Sequence, residues 1–399
     1  MLPTLTGPLD LAGVDFARDD LPDLHAVLRA LRSRKPAAVV LFFGQPALMF
    51  LSYELVAAAF KDEEAFPAAA SYRLNTEPVL GRTLQCMERE DHRINRALVS
   101  PAFRPRVISE KVKPLLESVA QELVDRVARC GTADLVAEFT KEYPFLVITR
   151  LLGLPPANDG DFQRWAYDLF NYPIDPEGAK RSSAEFTRFL APLVARRRNE
   201  PGDDLLSTLA TAEVEGRRLS DEEIFSFVRL LFPAGADTTY LGLGSTLYAL
   251  LTHPAEYERV LADRSERRWA AEEGLRWEPP VGLLPRRAPR AVRWHDTEIP
   301  ADTTLIYAIT AANRDPQVFH EPDRFDVGRH AEATIAFGQG PHYCLGAHLA
   351  LSEMEIALDV ILERLRGLRL VEDPEVRIRG MLGTALRGPT KLPVRFEPH

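Results

Sequence analysis

A mainly α-helical fold with a small β-rich part, an α+β arrangement in one domain over residues 1–399, is predicted by three observations. Apolar residues recur at spacings of three and four through residues 88–129, 201–251 and 345–370, as along Val112, Leu115, Leu116, Val119, Leu123 and Val127, the pattern of packed amphipathic helices. Strand-like segments are short and far apart, at 38–43, 47–51, 303–308, 376–379 and 392–396. No repeat or low-complexity linker separates them, so one sheet drawn from distant parts of the chain is more economical than independent domains.

In chain order, Ala38-Val-Val-Leu-Phe-Phe43 and Ala47-Leu-Met-Phe-Leu51 flank the turn signal Gly44-Gln-Pro46 and predict a hairpin, followed by a short helix from Tyr53 to Lys61. Helices dominate from residue 88 until Pro279, where the composition changes. From there to Arg329, Pro, Arg, Thr and isolated apolar residues predict strands and loops, with Thr303-Thr-Leu-Ile-Tyr-Ala308 as one strand. A last helix and short terminal strands close the chain.

With 399 residues, 46% hydrophobic and 27% charged, the composition is that of a globular protein with a sizeable core, which excludes a disordered, collagenous or disulfide-framework chain. Its net charge of −9 lacks the basic footprint of a nucleic-acid binder. The start carries Pro3, Gly7, Pro8, Asp10, Asp15, Asp19 and Asp20 where an export signal needs a basic end and an apolar run. The apolar runs at 37–44 and 47–51 fall short of the roughly 20 residues of a membrane helix. Three cysteines, Cys86, Cys130 and Cys344, suit a reducing compartment. A cytoplasmic protein without a membrane anchor is expected.

Phe337-Gly-Gln-Gly-Pro-His-Tyr-Cys-Leu-Gly346 sets one cysteine between glycines, just ahead of an apolar helix. Backbone N–H groups and the positive helix end favour an anionic sulfur there, and the glycines let a flat cofactor approach the backbone; the bland alternative is a structural cysteine in a glycine turn. Leu231-Phe-Pro-Ala-Gly-Ala-Asp-Thr-Thr239 lies in an apolar helical run, where Pro233 deprives the Arg229 carbonyl of its donor. A distortion there, beside Asp237 and Thr238, would hold water and a polar ligand in an apolar wall; a plain bend or cap is the alternative. Glu273-Gly-Leu-Arg276 places a carboxylate and a guanidinium on one helix face, by itself no more than a solvated pair. His92 and Arg96 stand four apart, so both can reach one anion, and Arg286 offers a further cation.

Together these motifs resemble the cytochrome P-450 family over nearly the whole chain, and no chemically required position departs. The cysteine loop is similar to F-x-x-G-x-[HR]-x-C-x-G through Phe337, Gly340, His342, Cys344 and Gly346, and the Asp237 segment to [AG]-G-x-[DE]-T-T. The resemblance implies a helix-rich single-domain fold holding haem b between the helix of Asp237 and the helix after Cys344. Cys344 would be the axial thiolate on the haem iron, while His92, Arg96, Arg286 and His342 would meet the haem propionates. Asp237 would relay protons and Thr238 position the oxygen species. Glu273 and Arg276 would brace the core, with Arg324 as the third member in the loop that starts at Asn313-Arg-Asp-Pro316.

The activity implied is insertion of one atom of dioxygen into a small hydrophobic substrate. Leu84, Met87, Phe170, Leu230, Ala234, Val281, Leu284, Thr384 and Ala385 would line its pocket. Rival readings are a peroxide-driven haem-thiolate enzyme, which the Asp237-Thr238 pair opposes, and a non-catalytic haem protein. With no flavin or nicotinamide fingerprint, electrons are expected from a separate ferredoxin and its reductase, docking on a basic patch of Arg89, Arg93, Arg104, Arg106, Lys111 and Lys113. A monomer is expected.

Overall fold

The computed structural model describes residues 11, 13–21, 23–155, 159–295 and 297–398; the sequence start up to residue 10 lies outside them. The expected hairpin forms from Ala37–Phe42 and Gln45–Phe50, with Phe42 opposite Gln45. Its turn sits one residue earlier than expected. A two-residue loop needs left-handed backbone at both positions, and Phe43 and Gly44 take φ of 51° and 74°. Pro46 therefore belongs to the strand, opposite Leu41, just ahead of residues 47–50 that pair with the next strand. The helix Tyr53–Lys61 follows, started by the Ser52 side chain accepting from the Leu55 N–H at 3.3 Å.

The second hairpin strand pairs parallel with Thr303–Ala308, which pairs antiparallel with Leu283–Ala288, so residues near 40 and near 305 share one four-stranded sheet. The terminal strand does not join it. Pro393–Arg395 lies between Thr132–Asp134 and Arg369–Leu370 in a separate three-stranded sheet. Leu392, Val394 and Phe396 bury into the main helical core, whereas the four-stranded sheet has its own apolar layers on its two faces. The segment expected at 376–379 forms Ile378–Leu382, which pairs with Leu386–Pro389 in a further two-stranded sheet, so the expected single sheet is split in three.

The helical stretches are also more divided than periodicity predicts. Residues 88–129 break after Arg89–Val99, where Pro101 and Pro105 open new turns, and resume as Lys113–Val127. Residues 201–251 contain a small hairpin of Glu213–Val214 and Arg217–Arg218, turned at Glu215 and Gly216 with φ of 54° and 75°.

The spine is the 32-residue helix Asp221–Thr252, opened by a capping box between Ser220 and Glu223 and buried over most of its surface. It runs unbroken through Pro233. Packed around it are Glu142–Leu151, Pro176–Asn199, Glu266–Trp277 and Ala347–Arg364. Among the described residues no helix is long and apolar enough to cross a membrane.

Candidate active site

The loop before Ala347–Arg364 is shaped by its glycines. Gly338 and Gly340 take φ of 70° and 73°. A Cβ on Gly340 would stand 2.6 Å from the Phe60 carbonyl oxygen, so only glycine fits against that backbone. The Cys344 N–H donates to the Phe337 carbonyl at 3.0 Å, and Gly346 begins the following helix. A Cβ on Gly346 would meet nothing within 4 Å. Cys344 is exposed, yet protein packs densely around its sulfur. That crowding pushes the thiol above its ordinary value, opposed by the Gly346 N–H and the Arg96 charge.

The four basic side chains singled out by sequence, His92, Arg96, Arg286 and His342, gather beside this loop. The His92 and His342 rings are 4.2 Å apart, and His342 Nε2 lies 3.4 Å from Glu63 Oε2. Burial, with His342 and Arg96 nearby, pushes His92 down to about 4. Arg96 donates to the Tyr343 carbonyl at 2.6 Å. Arg286 is buried over the rings of Tyr72 and Tyr307, at 4.9 and 5.6 Å, and donates to the Tyr72 hydroxyl and the Pro285 carbonyl. Among the described residues it has no carboxylate within ion-pair distance. Glu63, near both His342 and Arg286, is held below the usual carboxylate range by His342 despite burial. No local pattern in the sequence marked it.

This chemistry fits haem. Buried His92 Nε2 has no hydrogen-bond partner, Arg286 is a buried cation without a carboxylate in ion-pair distance, and two residues past the exposed Cys344 a Cβ on Gly346 would meet nothing within 4 Å. A flat dianionic cofactor with a metal centre would satisfy all three needs.

On the spine helix, burial pushes the Asp237 carboxyl up to about 6, against the pull of the Lys141 ammonium. The Thr238 hydroxyl donates to the Ala234 carbonyl at 2.6 Å, one turn back. Because the folded pKa of Asp237 is raised, its charged form destabilises the fold as pH rises through about 6, and the penalty vanishes below the unfolded value near 4. Asp237→Asn is expected to gain about 2–3 kcal/mol of stability at pH 8 and nothing at pH 4. Thermal unfolding at the two pH values checks this; equal gains at both would refute it.

Glu273 and Arg276 form a buried pair, Nε to Oε2 at 2.7 Å and NH2 to Oε1 at 2.8 Å. Arg276 also donates to the carbonyls of Asn313, Pro322 and Arg324. The expected third member is corrected. The Arg324 side chain is 55% exposed and pairs with Glu321, whereas Arg329, 12% exposed, brings Nε within 3.4 Å of Glu273 Oε1. Arg324 serves through its carbonyl instead.

Of the nine expected wall residues, Leu84, Phe170, Leu230, Ala234, Val281, Leu284 and Ala385 keep accessible surface. Met87 and Thr384 are buried, and the Thr384 hydroxyl donates to the Phe16 carbonyl at 2.5 Å. Thr384 is thus a packing residue rather than part of an accessible wall, and Met87 has little surface to offer a ligand. Phe337 packs against the main core.

A family model described as Cytochrome P450 matches residues 268–390, which include the buried ion pair and the cysteine loop. Cytochrome P450 107B1 of Saccharopolyspora erythraea is 38% identical over 330 residues, covering 82% of this chain and 80% of that protein. The chain belongs to the cytochrome P450 family. The 6-deoxyerythronolide B hydroxylase of the same organism is 34% identical, covering 94% of this chain and 96% of that one. Among solved structures, cytochrome P450 CYP109Q5 from Chondromyces apiculatus superposes with a TM-score of 0.86 at 31% identity, covering 95% and 96% of the two chains. This P450 therefore has the family's fold, binds haem b and is a monooxygenase of small organic molecules that uses dioxygen and electrons from redox partners.

Proposed function

We propose that this P450 hydroxylates a hydrophobic organic compound in the cytoplasm, using electrons from a ferredoxin and its reductase, with Cys344 as the axial ligand of its haem. The observation that carries the assignment of the ligand is Cys344, exposed on a glycine-shaped loop beside His92, Arg96, Arg286 and His342. Bound haem supplies the redox chemistry by which one atom of dioxygen enters the substrate and the other leaves as water. Arg96, Arg286, His342 and the neutral His92 ring would hold its carboxylates, and Gly346 would leave room for its ring.

Asp237 has a proton affinity near neutral pH, so it can both give and regain a proton under working conditions. The Thr238 hydroxyl, spending its donor on the Ala234 carbonyl, presents its oxygen as an acceptor one residue from that acid. This pair favours dioxygen over peroxide as oxidant. We assign the apolar, partly accessible Leu84, Phe170, Leu230, Ala234, Val281, Leu284 and Ala385 to the wall of the substrate pocket, which would offer few polar anchors. The hydroxylase relative, acting by name on 6-deoxyerythronolide B, supports an organic scaffold as substrate.

The deciding experiment is the absorption spectrum of the reduced protein under carbon monoxide, followed by titration of the oxidised protein with apolar compounds. A strongly red-shifted Soret band supports the thiolate, and compounds that drive the high-spin shift identify the substrate class. A band at the position of histidine-ligated haem would overturn the ligand assignment. Thr238→Ala is expected to keep that spectrum while diverting most electrons to hydrogen peroxide; full coupling to product in this variant would refute the role of Thr238.

The basic docking patch is thinner than its sequence. Arg93 is held by Glu90 and Glu215, Arg106 by Glu110 and Lys111 by Asp203. Arg89, Arg104 and Lys113 are exposed and, among the described residues, have no ion-pair partner. We assign ferredoxin attraction to these three. Lys113→Glu with Arg104→Glu should raise the ferredoxin concentration for half-maximal turnover several-fold at low salt, and Arg93→Glu should do so less. Identical responses in all variants would remove the patch from docking.

A further inference from the structure

Asp237 and Tyr240 stand three residues apart, on one face of Asp221–Thr252. The π-helical segment Val136–Thr140 and the helix Glu142–Leu151 pack against this long helix. Lys141 stands at their junction. It is exposed, and its ammonium lies 5.8 Å from the centre of the buried Tyr240 ring, within the range of a cation–π contact.

We propose that Lys141, seated on the Tyr240 ring, is a positioning residue for the reaction, setting the pH range over which Asp237 can deliver and recover its proton. This rests on the reading of Asp237 as the proton relay. Two features support it. The Lys141 ammonium is the charge that pulls Asp237 toward its ionised form, against burial. The Tyr240 hydroxyl feels the Asp237 charge as well, and burial pushes it far above its ordinary value, so it stays neutral and serves as a fixed platform.

The sign follows from the charges. Lys141 favours the carboxylate and so opposes the burial that raises Asp237. Without the ammonium, Asp237 should hold its proton to higher pH. A lysine at the protein surface is also open to screening by salt.

The test measures, from pH 5.5 to 9, the fraction of electrons recovered as product in the holoenzyme. In parallel, infrared titration follows the Asp237 carboxyl band, assigned by its loss in Asp237→Asn. In Lys141→Met, both the alkaline limb of coupling and the band midpoint should move up by about half a pH unit at low salt. Tyr240→Leu, which removes the platform, should shift them in the same direction. Lys141→Arg and Tyr240→Phe should hold the parent midpoint, because each keeps the cation and the ring. In the Asp237→Asn background, Lys141→Met should add nothing.

A merely structural lysine would lower coupling equally at every pH and leave the band midpoint alone; that result overturns the proposal. If Asp237→Asn impairs coupling as expected but the Lys141→Met midpoint coincides with the parent, only the Lys141 inference falls. If Asp237→Asn leaves coupling unchanged, the relay reading of Asp237 falls first and takes this inference with it.

Discussion

Cys344→Ala is expected to lower product formation more than about a thousandfold, equivalent to ~4 kcal/mol of barrier, and to abolish the red-shifted band of the reduced carbon monoxide complex. Gly338 and Gly340 turn the backbone at positive φ, Gly340 because the Phe60 carbonyl leaves no space for a side chain, and Cys344 is then fixed by its N–H on the Phe337 carbonyl. The sulfur keeps accessible surface in a crowded setting that resists a free thiolate, while the Gly346 N–H and Arg96 favour the anion. Such a sulfur is best satisfied as a metal ligand, where the metal stabilises its charge. Cys344→Ser separates charge from volume. It keeps nearly the same size at the same backbone position, so retention of the parent spectrum and turnover by the serine variant would show that the thiolate is not the ligand. Loss of both in alanine and serine variants, with folding intact by far-ultraviolet circular dichroism, is the expected outcome.

How far the sequence reached depends on whether the deciding interaction is local. The helix Tyr53–Lys61 and the strand Thr303–Ala308 were legible to the residue because Ser52 caps the one and a run of β-branched and aromatic residues makes the other. The partner of the terminal strand was not, since Pro393–Arg395 meets Thr132–Asp134 across most of the chain, and only three-dimensional packing of Val394 into the helical core settles the pairing. The same division holds in the site. Cys344 and the basic residues near it stand in motifs whose spacing survives in one dimension. Whether Arg324 or Arg329 reaches Glu273 is a matter of side-chain direction, which spacing does not record. Thr384 shows the complementary error: its place in the chain suits a wall, but its hydroxyl turns to the Phe16 carbonyl. Glu63 and Lys141 carry no motif. They matter because folding sets them beside His342 and Tyr240.

The second large effect is expected away from the reacting groups. Glu273→Ala should destabilise the folded protein by about 3–5 kcal/mol, enough to prevent recovery of haem-loaded protein at growth temperature. Both side chains of the Glu273–Arg276 pair are fully buried, and removing the carboxylate leaves the guanidinium without its counter-charge. The loss spreads because the pair is an anchor for the chain that leads to the cysteine loop. Arg276 binds the carbonyls of Asn313, Pro322 and Arg324, while Glu273 accepts from the Asp326 N–H at 2.9 Å and from Arg329. These contacts fix residues 313–329, and Asn313 in turn accepts the Ile335 N–H at 2.9 Å, two residues before Phe337. Arg276→Lys should fare nearly as badly as Glu273→Ala, because an ammonium cannot make the two parallel bonds to Glu273 and also reach three carbonyls. Arg324→Ala should be close to neutral, since its side chain is solvated and its carbonyl survives the substitution, whereas Arg329→Ala should cost ~1–2 kcal/mol. Denaturant unfolding and haem content of the four variants check the order. Equal stability of Arg324→Ala and Arg329→Ala would contradict the corrected membership of the brace, and a stable, haem-loaded Glu273→Ala would show that the buried pair does not hold the loop in place.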